Sequence, residues 1–315
     1  MSLFLEIGTS QGNVETRDAT ADPPATTATR AGRAQQRRVP VDVKRARKLI
    51  TFLLMSLNLN LPPYWKASMI FQVRLKKDLG QHILVSGGVL RRLVEFLEVS
   101  EGDTVVEIGG GTGNLTRELL KTPLGRLITL EIDPRMVEDL KKIEDKRLKV
   151  LQADATSFDL CSLGENLKVI GNLPYNVASL ILENTVRCRS CVPIALYTVQ
   201  KEVGLKVAGK TDPGWLTVFV KTFFEVEYLM SLPPKFFFPR PRVESGVIRL
   251  RRKDQQPDLD LLSFKRFLTR LFSSRKKKLK NVFPQDALRE VSIDPDLRLH
   301  QLSPGEILRL YNVLG

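Results

Sequence analysis

From Val89 to Glu202 the chain repeats one pattern: a short β-branched run, a segment of helical length, then another run. "VLRRLVEFLEV" is apolar at helical spacing; "DTVVEIG", "RLITLEID", "LKVLQADA", "LKVIGNLPY" and "VPIALYTVQKE" read as strands, separated by "GNLTRELLKT" and "PRMVEDLKKIED". Strands that alternate with helices imply a mostly parallel sheet covered on both faces. Further on, "FEVEYLMSL" and "VESGVIRLRR" are joined by "PPKFFFPRPR" with no crossover helix, so at least one of them is expected to run antiparallel. The expectation is an α/β fold with about seven strands.

After "RRKDQQPD" the period changes. Phe264, Phe267, Leu268, Leu271 and Phe272 fall at helical spacing, and the cluster "RKKKLK" follows in what reads as one helix-like segment. Residues 254–315 are therefore expected to be a small, basic, all-helical domain behind a catalytic domain at 66–253. Residues 1–65 are expected to be a disordered extension, since the first forty are Ala-, Thr-, Arg-, Gln- and Pro-rich without a sustained period. Glu6, Glu15, Asp18 and Asp22 argue against an organelle leader, and Met55 or Met69 could be the true start.

Charge is unevenly placed. Residues 1–65 carry nine basic and five acidic groups, 66–231 twenty-two and twenty-one, and 232–315 eighteen and nine. Most of the net +14 thus sits at the C-terminal end, where a polyanion is the expected partner. Three Cys exclude a disulfide-framed secreted domain, and the lone Cys188-x-x-Cys191 pair lacks the further ligands of a closed zinc site. No metal is expected, and the two are read as ordinary thiols rather than a disulfide. The longest apolar run, Leu49 to Leu61, is too short for a membrane span, which needs about twenty residues.

The chemistry concentrates in four places. "VVEIGGGTGNLT" follows a strand and opens a helix, and Gly109, Gly111 and Gly113 let backbone approach a ligand. Asn114 stands where a dinucleotide fingerprint needs its third glycine, so a nicotinamide cofactor is disfavoured. Glu131 closes the next strand, where a carboxylate can accept from both ribose hydroxyls, and Asp154 closes the third. Asp154 could accept from an adenine amine while Ala155 offers its N–H; a plain helix N-cap is the alternative for Asp154. Last comes "GNLPYN", a compact way to aim acceptors and a stacking face at a flat group that bears an amine.

The ordered set "KKDLGQHIL", "EIGGGTGNLT", "LEID", "ADA", "GNLPYN", "VQKEV", "FFPRPRVES", "LFSSRKKKLKN" and "LSPGEILRL" resembles the KsgA-type rRNA adenine dimethyltransferases across roughly residues 70–315. The resemblance implies a Rossmann-like methyltransferase sheet with a C-terminal helical domain. It implies S-adenosylmethionine as cofactor and two adjacent adenosines near the 3′ end of small-subunit rRNA as target, within a pre-ribosomal particle. A cytoplasmic monomer is expected. By position, Gln81, His82 and Leu84 would line the methionine end, Gly109, Gly111 and Gly113 pass beneath, Glu131 hold the ribose, Asp154 and Ala155 the adenine, and Ile132 be a further cofactor contact. Asn172 would touch cofactor and base, Asn172 and Leu173 supply carbonyl acceptors, Pro174 fixes the turn, and Tyr175 and Phe237 close on the two faces of the base. Arg240, Arg242, Arg275, Lys276, Lys277, Lys278 and Lys280 would meet RNA phosphates. One departure is His82, where the family usually has Asn. Leu173 separates the corner from the Asn-Pro-Pro-Tyr and Asp-Pro-Pro-Tyr of protein glutamine and DNA adenine enzymes. Two rivals stay open: a large-subunit enzyme of the antibiotic-resistance type, and a non-enzymatic assembly factor on the same scaffold.

Overall fold

The computed structural model describes residues 82–274 and 276–314. The expected extension over 1–65, Gln81 and Arg275 lie outside the described residues.

The chain opens with β1 (Ile83–Leu84) and α1 (Gly87–Leu97), which buries Val89, Leu90, Leu93, Val94 and Leu97 on one stripe. Then follow β2 (Thr104–Ile108), α2 (Asn114–Leu119), β3 (Arg126–Glu131), α3 (Pro134–Leu140) and β4 (Leu148–Gln152). Next come β5 (Lys168–Asn172), α4 (Ala178–Arg187), β6 (Ile194–Gln200), α5 (Lys201–Val207), α6 (Trp215–Phe223) and β7 (Phe224–Leu232). The two-residue β8 (Phe237–Phe238), β9 (Ser245–Arg252), α7 (Leu261–Ser273), α8 (Gln285–Glu290) and α9 (Pro304–Leu314) complete the order.

Seven strands form one sheet in the order β4-β3-β2-β5-β6-β9-β7. The first five are parallel and β9 is antiparallel to both neighbours, as the missing crossover helix predicts. The period of two explains why these strands read as nearly continuous apolar runs. Val105, Leu127, Ile170, Leu196 and Val247 enter the core beside α1 and α2. Their chain neighbours Val106, Ile128, Val169, Ala195 and Ile248 enter the opposite core, beside α4 and α6. Both faces are dry, so apolar residues dominate on each of them.

The C-terminal helices extend the second of these cores. Phe264 of α7 lies 6.2 Å from the Phe219 ring of α6 and 5.0 Å from the Tyr311 ring of α9. Asp260 starts α7 by accepting from the backbone N–H groups of Leu262 and Ser263. The basic cluster departs from the expected helix: α7 ends at Ser273, Lys276 lies in a turn and Lys277 in a bend, Lys278 pairs as an isolated antiparallel bridge with Arg298, and only Leu279–Asn281 make a short 3-10 turn. Leu279, 1% exposed, pulls the chain back into the core and breaks the helical course of the lysines.

The cysteines depart as well. Cys191 is disulfide-bonded to Cys161, thirty residues earlier in the chain, and Cys188 is a buried free thiol. The C-x-x-C spacing points at the wrong pair, because the turn after α4 swings Cys191 toward the short Leu160–Leu163 helix. Asp159, Cys161 and Cys188 bring ligand atoms within 4.8 Å of one another, yet the Cys161 sulfur is committed to the disulfide. Among the described residues no helix is long and apolar enough to cross a membrane.

Candidate active site

Strand order reverses at β2: β3 and β4 lie on one side of it, and the chain returns to place β5 on the other. A crevice opens outside the carboxyl ends of strands at such a point. Here it is a cavity of about 310 Å³. His82, Leu84, Gly109, Gly111, Glu131, Ile132, Asp154, Ala155, Asn172 and Pro174 all line it. Residues far apart in sequence are therefore brought to one concave surface by the topology alone.

The turn from β2 to α2 needs its glycines. Gly109 has φ 76° and Gly111 φ 51°, a region that costs an L-residue with Cβ. In that conformation the Gly111 N–H donates to Glu131 Oε2 at 2.8 Å, while Asp133 N–H donates to Oε1 at 2.9 Å. The Glu131 carboxylate is thereby held at the end of β3 by two backbone donors and retains lone pairs on the cavity side. Gly113 is buried behind this turn at the start of α2 and does not line the cavity.

Asp154 is exposed and precedes a turn, not a helix. Its Oδ1 accepts from the N–H and hydroxyl of Thr156 at 2.9 and 2.7 Å. The same turn is held from below by Asn184, whose amide donates to the carbonyls of Ala155 and Phe158, both at 2.8 Å. Asn184 is 3% exposed. It escapes a reading of motifs because it lies mid-helix, where only its burial marks it.

The corner at the end of β5 is fixed by polar bonds. Asn172 donates its amide N–H to the His82 carbonyl at 2.6 Å, so its Oδ1 is the acceptor left at the cavity. Leu173 turns its side chain into the core. Tyr175 lies partly exposed beside it with its hydroxyl 2.6 Å from Ser245 Oγ; burial pushes that hydroxyl's pKa up, against the pull of the Ser245 bond. The Phe237 ring does not reach the cavity. It is 2% exposed, because β8 pairs antiparallel with β1 and sets Phe237 opposite Leu84 inside the core.

Glu107 was missed as a site residue although it lies within the quoted "VVEIGGG". It is 1% exposed, lines the cavity, and accepts at Oε2 from Thr116 and Thr129 hydroxyls at 2.6 and 2.9 Å. Among the described residues its Oε1 has no hydrogen-bond partner. Burial pushes its pKa up to about 7, despite the two hydroxyls. An acidic residue inside a run of buried strand positions was the available signal.

Of the basic residues, Arg240, Arg242, Lys276, Lys277, Lys278 and Lys280 are all exposed. Lys278 and Lys280 both reach Asp296 Oδ1 at 2.8 Å. Those two charges are already partly answered within the protein.

The family model described as "Ribosomal RNA adenine dimethylase" matches residues 72–315. A "Ribosomal RNA small subunit methyltransferase A" from Persephonella marina is 41% identical over 249 residues, covering 76% of this chain and 93% of the relative. The protein of the same name from Thermotoga maritima is 35% identical over 76% of this chain and 86% of its own. Among solved structures, a dimethyladenosine transferase from Plasmodium falciparum matches 73% of this chain and 96% of its own at TM-score 0.63 and 24% identity. The 23S rRNA methyltransferase ErmE matches 74% and 99% at TM-score 0.58 and 24% identity. At that identity the last two speak for the fold alone.

Proposed function

Because the chain belongs to the ribosomal RNA adenine dimethylase family, we propose that it dimethylates the exocyclic amines of two adjacent adenosines near the 3′ end of small-subunit rRNA, with S-adenosylmethionine as donor. The observation that carries this reading is the Asn172 amide, oriented by the His82 carbonyl so that an acceptor oxygen borders the cavity.

The residues fit the cofactor. The cavity combines a carboxylate held at its edge (Glu131), a second one at its rim (Asp154), a glycine turn without side chains, and the unpartnered Glu107 Oε1. Glu131 would hold the ribose and Asp154 with Ala155 the adenine, while His82 and Leu84 border the other end. When bound, S-adenosylmethionine supplies an electrophilic methyl group.

The rest of the chemistry belongs to this chain. The amine of adenine is a poor nucleophile because its lone pair is delocalised into the ring. An acceptor at Asn172 Oδ1, with the Leu173 carbonyl beside it, favours a pyramidal nitrogen and stabilises the positive charge that develops there. Pro174 stiffens the turn and offers no competing N–H. Tyr175 gives the extruded base a stacking surface worth roughly 1–3 kcal/mol. Alkylation makes the nitrogen acidic, so its proton can leave to water, and positioning does most of the work.

On this reading residues 66–253 carry out the transfer, while 254–315 together with Arg240 and Arg242 hold phosphates. The enzyme acts as a cytoplasmic monomer on a pre-ribosomal particle and needs no metal. The decisive experiment is methyl transfer onto unmethylated small subunits, with the nucleosides analysed by mass. Dimethyladenosine at two neighbouring 3′-terminal positions is expected; label on large-subunit rRNA alone, or none at all, overturns the reading.

A further inference from the structure

Among the described residues, the aromatic ring that faces Tyr175 is His82. Their centroids are 5.3 Å apart and the planes are tilted by 39°. His82 is held from two sides. Its Nδ1 lies 2.8 Å from the Pro239 carbonyl, which can only accept, so Nδ1 carries the proton and donates. Its own carbonyl receives the Asn172 amide.

Tyr175 has little room to retreat. Its hydroxyl is tied to Ser245, a fully buried residue at the start of β9. Phe237, the other ring expected at the base, is buried on β8. A base stacked on Tyr175 beneath an opposing ring needs two ring separations, and 5.3 Å is only one. On the side of Tyr175 that His82 takes, the described residues leave no room for a base between the two rings.

We propose that His82 is a gate on the base site: its imidazole covers the stacking face of Tyr175 and swings aside, giving up the Pro239 carbonyl, when a flipped adenine enters. The inference rests on the proposed function and adds a positioning residue to it. It also links opening to the nucleic acid, because the latch acceptor Pro239 is followed directly by the exposed Arg240, with Arg242 two residues on. Phosphates that engage these arginines bear on the bend after β8 whose carbonyl holds His82. RNA that docks correctly thus favours the open gate. A loose base, which engages no arginine, does not.

The test uses the full chain and a small-subunit RNA hairpin with 2-aminopurine at the target position, whose fluorescence rises on unstacking. Removing the ring in His82→Ala and in His82→Asn should tighten hairpin binding and lower the RNA KM by roughly 2- to 12-fold, the worth of one ring contact. His82→Phe, which keeps a ring without the N–H, should fall between these variants and the wild type. Thermal melts identify any variant that fails to fold, and Asn is the gentler replacement. Unchanged or weakened hairpin binding in folded Ala and Asn variants overturns the gate, since His82 would then be inert or a permanent wall of the pocket. Those outcomes are read against a wild type that methylates small subunits; a wild type that does not would sink the functional reading instead.

Discussion

Two residues carry opposite kinds of consequence. Asn172 acts only if an acceptor at its position matters to the amine, so Asn172→Ala should lower kcat by roughly 100- to 1000-fold, the usual loss when one preorganised polar contact is removed. RNA affinity should stay nearly the same, and turnover close to wild type would exclude the contact. Glu107 acts on stability. Its folded-state pKa is raised to about 7 from an ordinary 4.5 by burial. The folded state therefore binds the proton more tightly than the unfolded one, and the contribution is fully present below pH 4.5. It fades as pH rises toward 7, by about 3 kcal/mol in all. Glu107→Gln keeps an acceptor for Thr116 and Thr129 but cannot titrate, so denaturant midpoints between pH 5 and 7.5 should fall less steeply than for the wild type. An identical slope would show that Glu107 does not titrate there.

At the level of elements, the site depends on short connections that hydrogen bonds hold in place. The β1–β8 pair brings His82 and Pro239 together across 157 positions of chain. Neither strand is visible in a pattern search, because two residues carry no period. The disulfide between Cys161 and Cys191 is a second such tie, closing a loop of thirty residues between the short helix after β4 and the start of β6. A closure of that length stabilises by about 3 to 4 kcal/mol on chain-entropy grounds. Cys161→Ser, or thorough reduction, should lower Tm on the order of 10 °C for a protein of this size. A melt that is the same with and without reductant would mean that the bond contributes nothing. The alternating strands and helices from β2 to β6, by contrast, were legible, since each carries five or more residues of one period, whereas α5 (Lys201–Val207) and α6 (Trp215–Phe223) were not anticipated.

For the whole molecule, charge and topology divide the work. The basic C-terminal end was visible by counting, but which lysines are free to meet phosphate was not. Lys276, Lys277, Lys278 and Lys280 are all exposed, but Lys278 and Lys280 converge on Asp296, whose carboxyl pKa they lower to about 2. Replacing Lys276 and Lys277 by Ala should therefore weaken RNA binding and reduce the slope of log K against log salt by roughly 1.4 to 1.8, one phosphate each. The Lys278 and Lys280 pair should change it less, and equal losses from both pairs would contradict this ranking. By itself the sequence determined the parallel sheet, its antiparallel final pair, the glycine turn and the Asn-Leu-Pro-Tyr corner, because each is written in the periodicity or steric needs of neighbouring residues. Only the tertiary structure decided that Cys191 bonds Cys161, that Phe237 lies inside the core, that Glu107 borders the cavity and that the His82 ring packs beside Tyr175. Such pairings depend on where distant segments meet in space, and local conformational preferences carry no record of that.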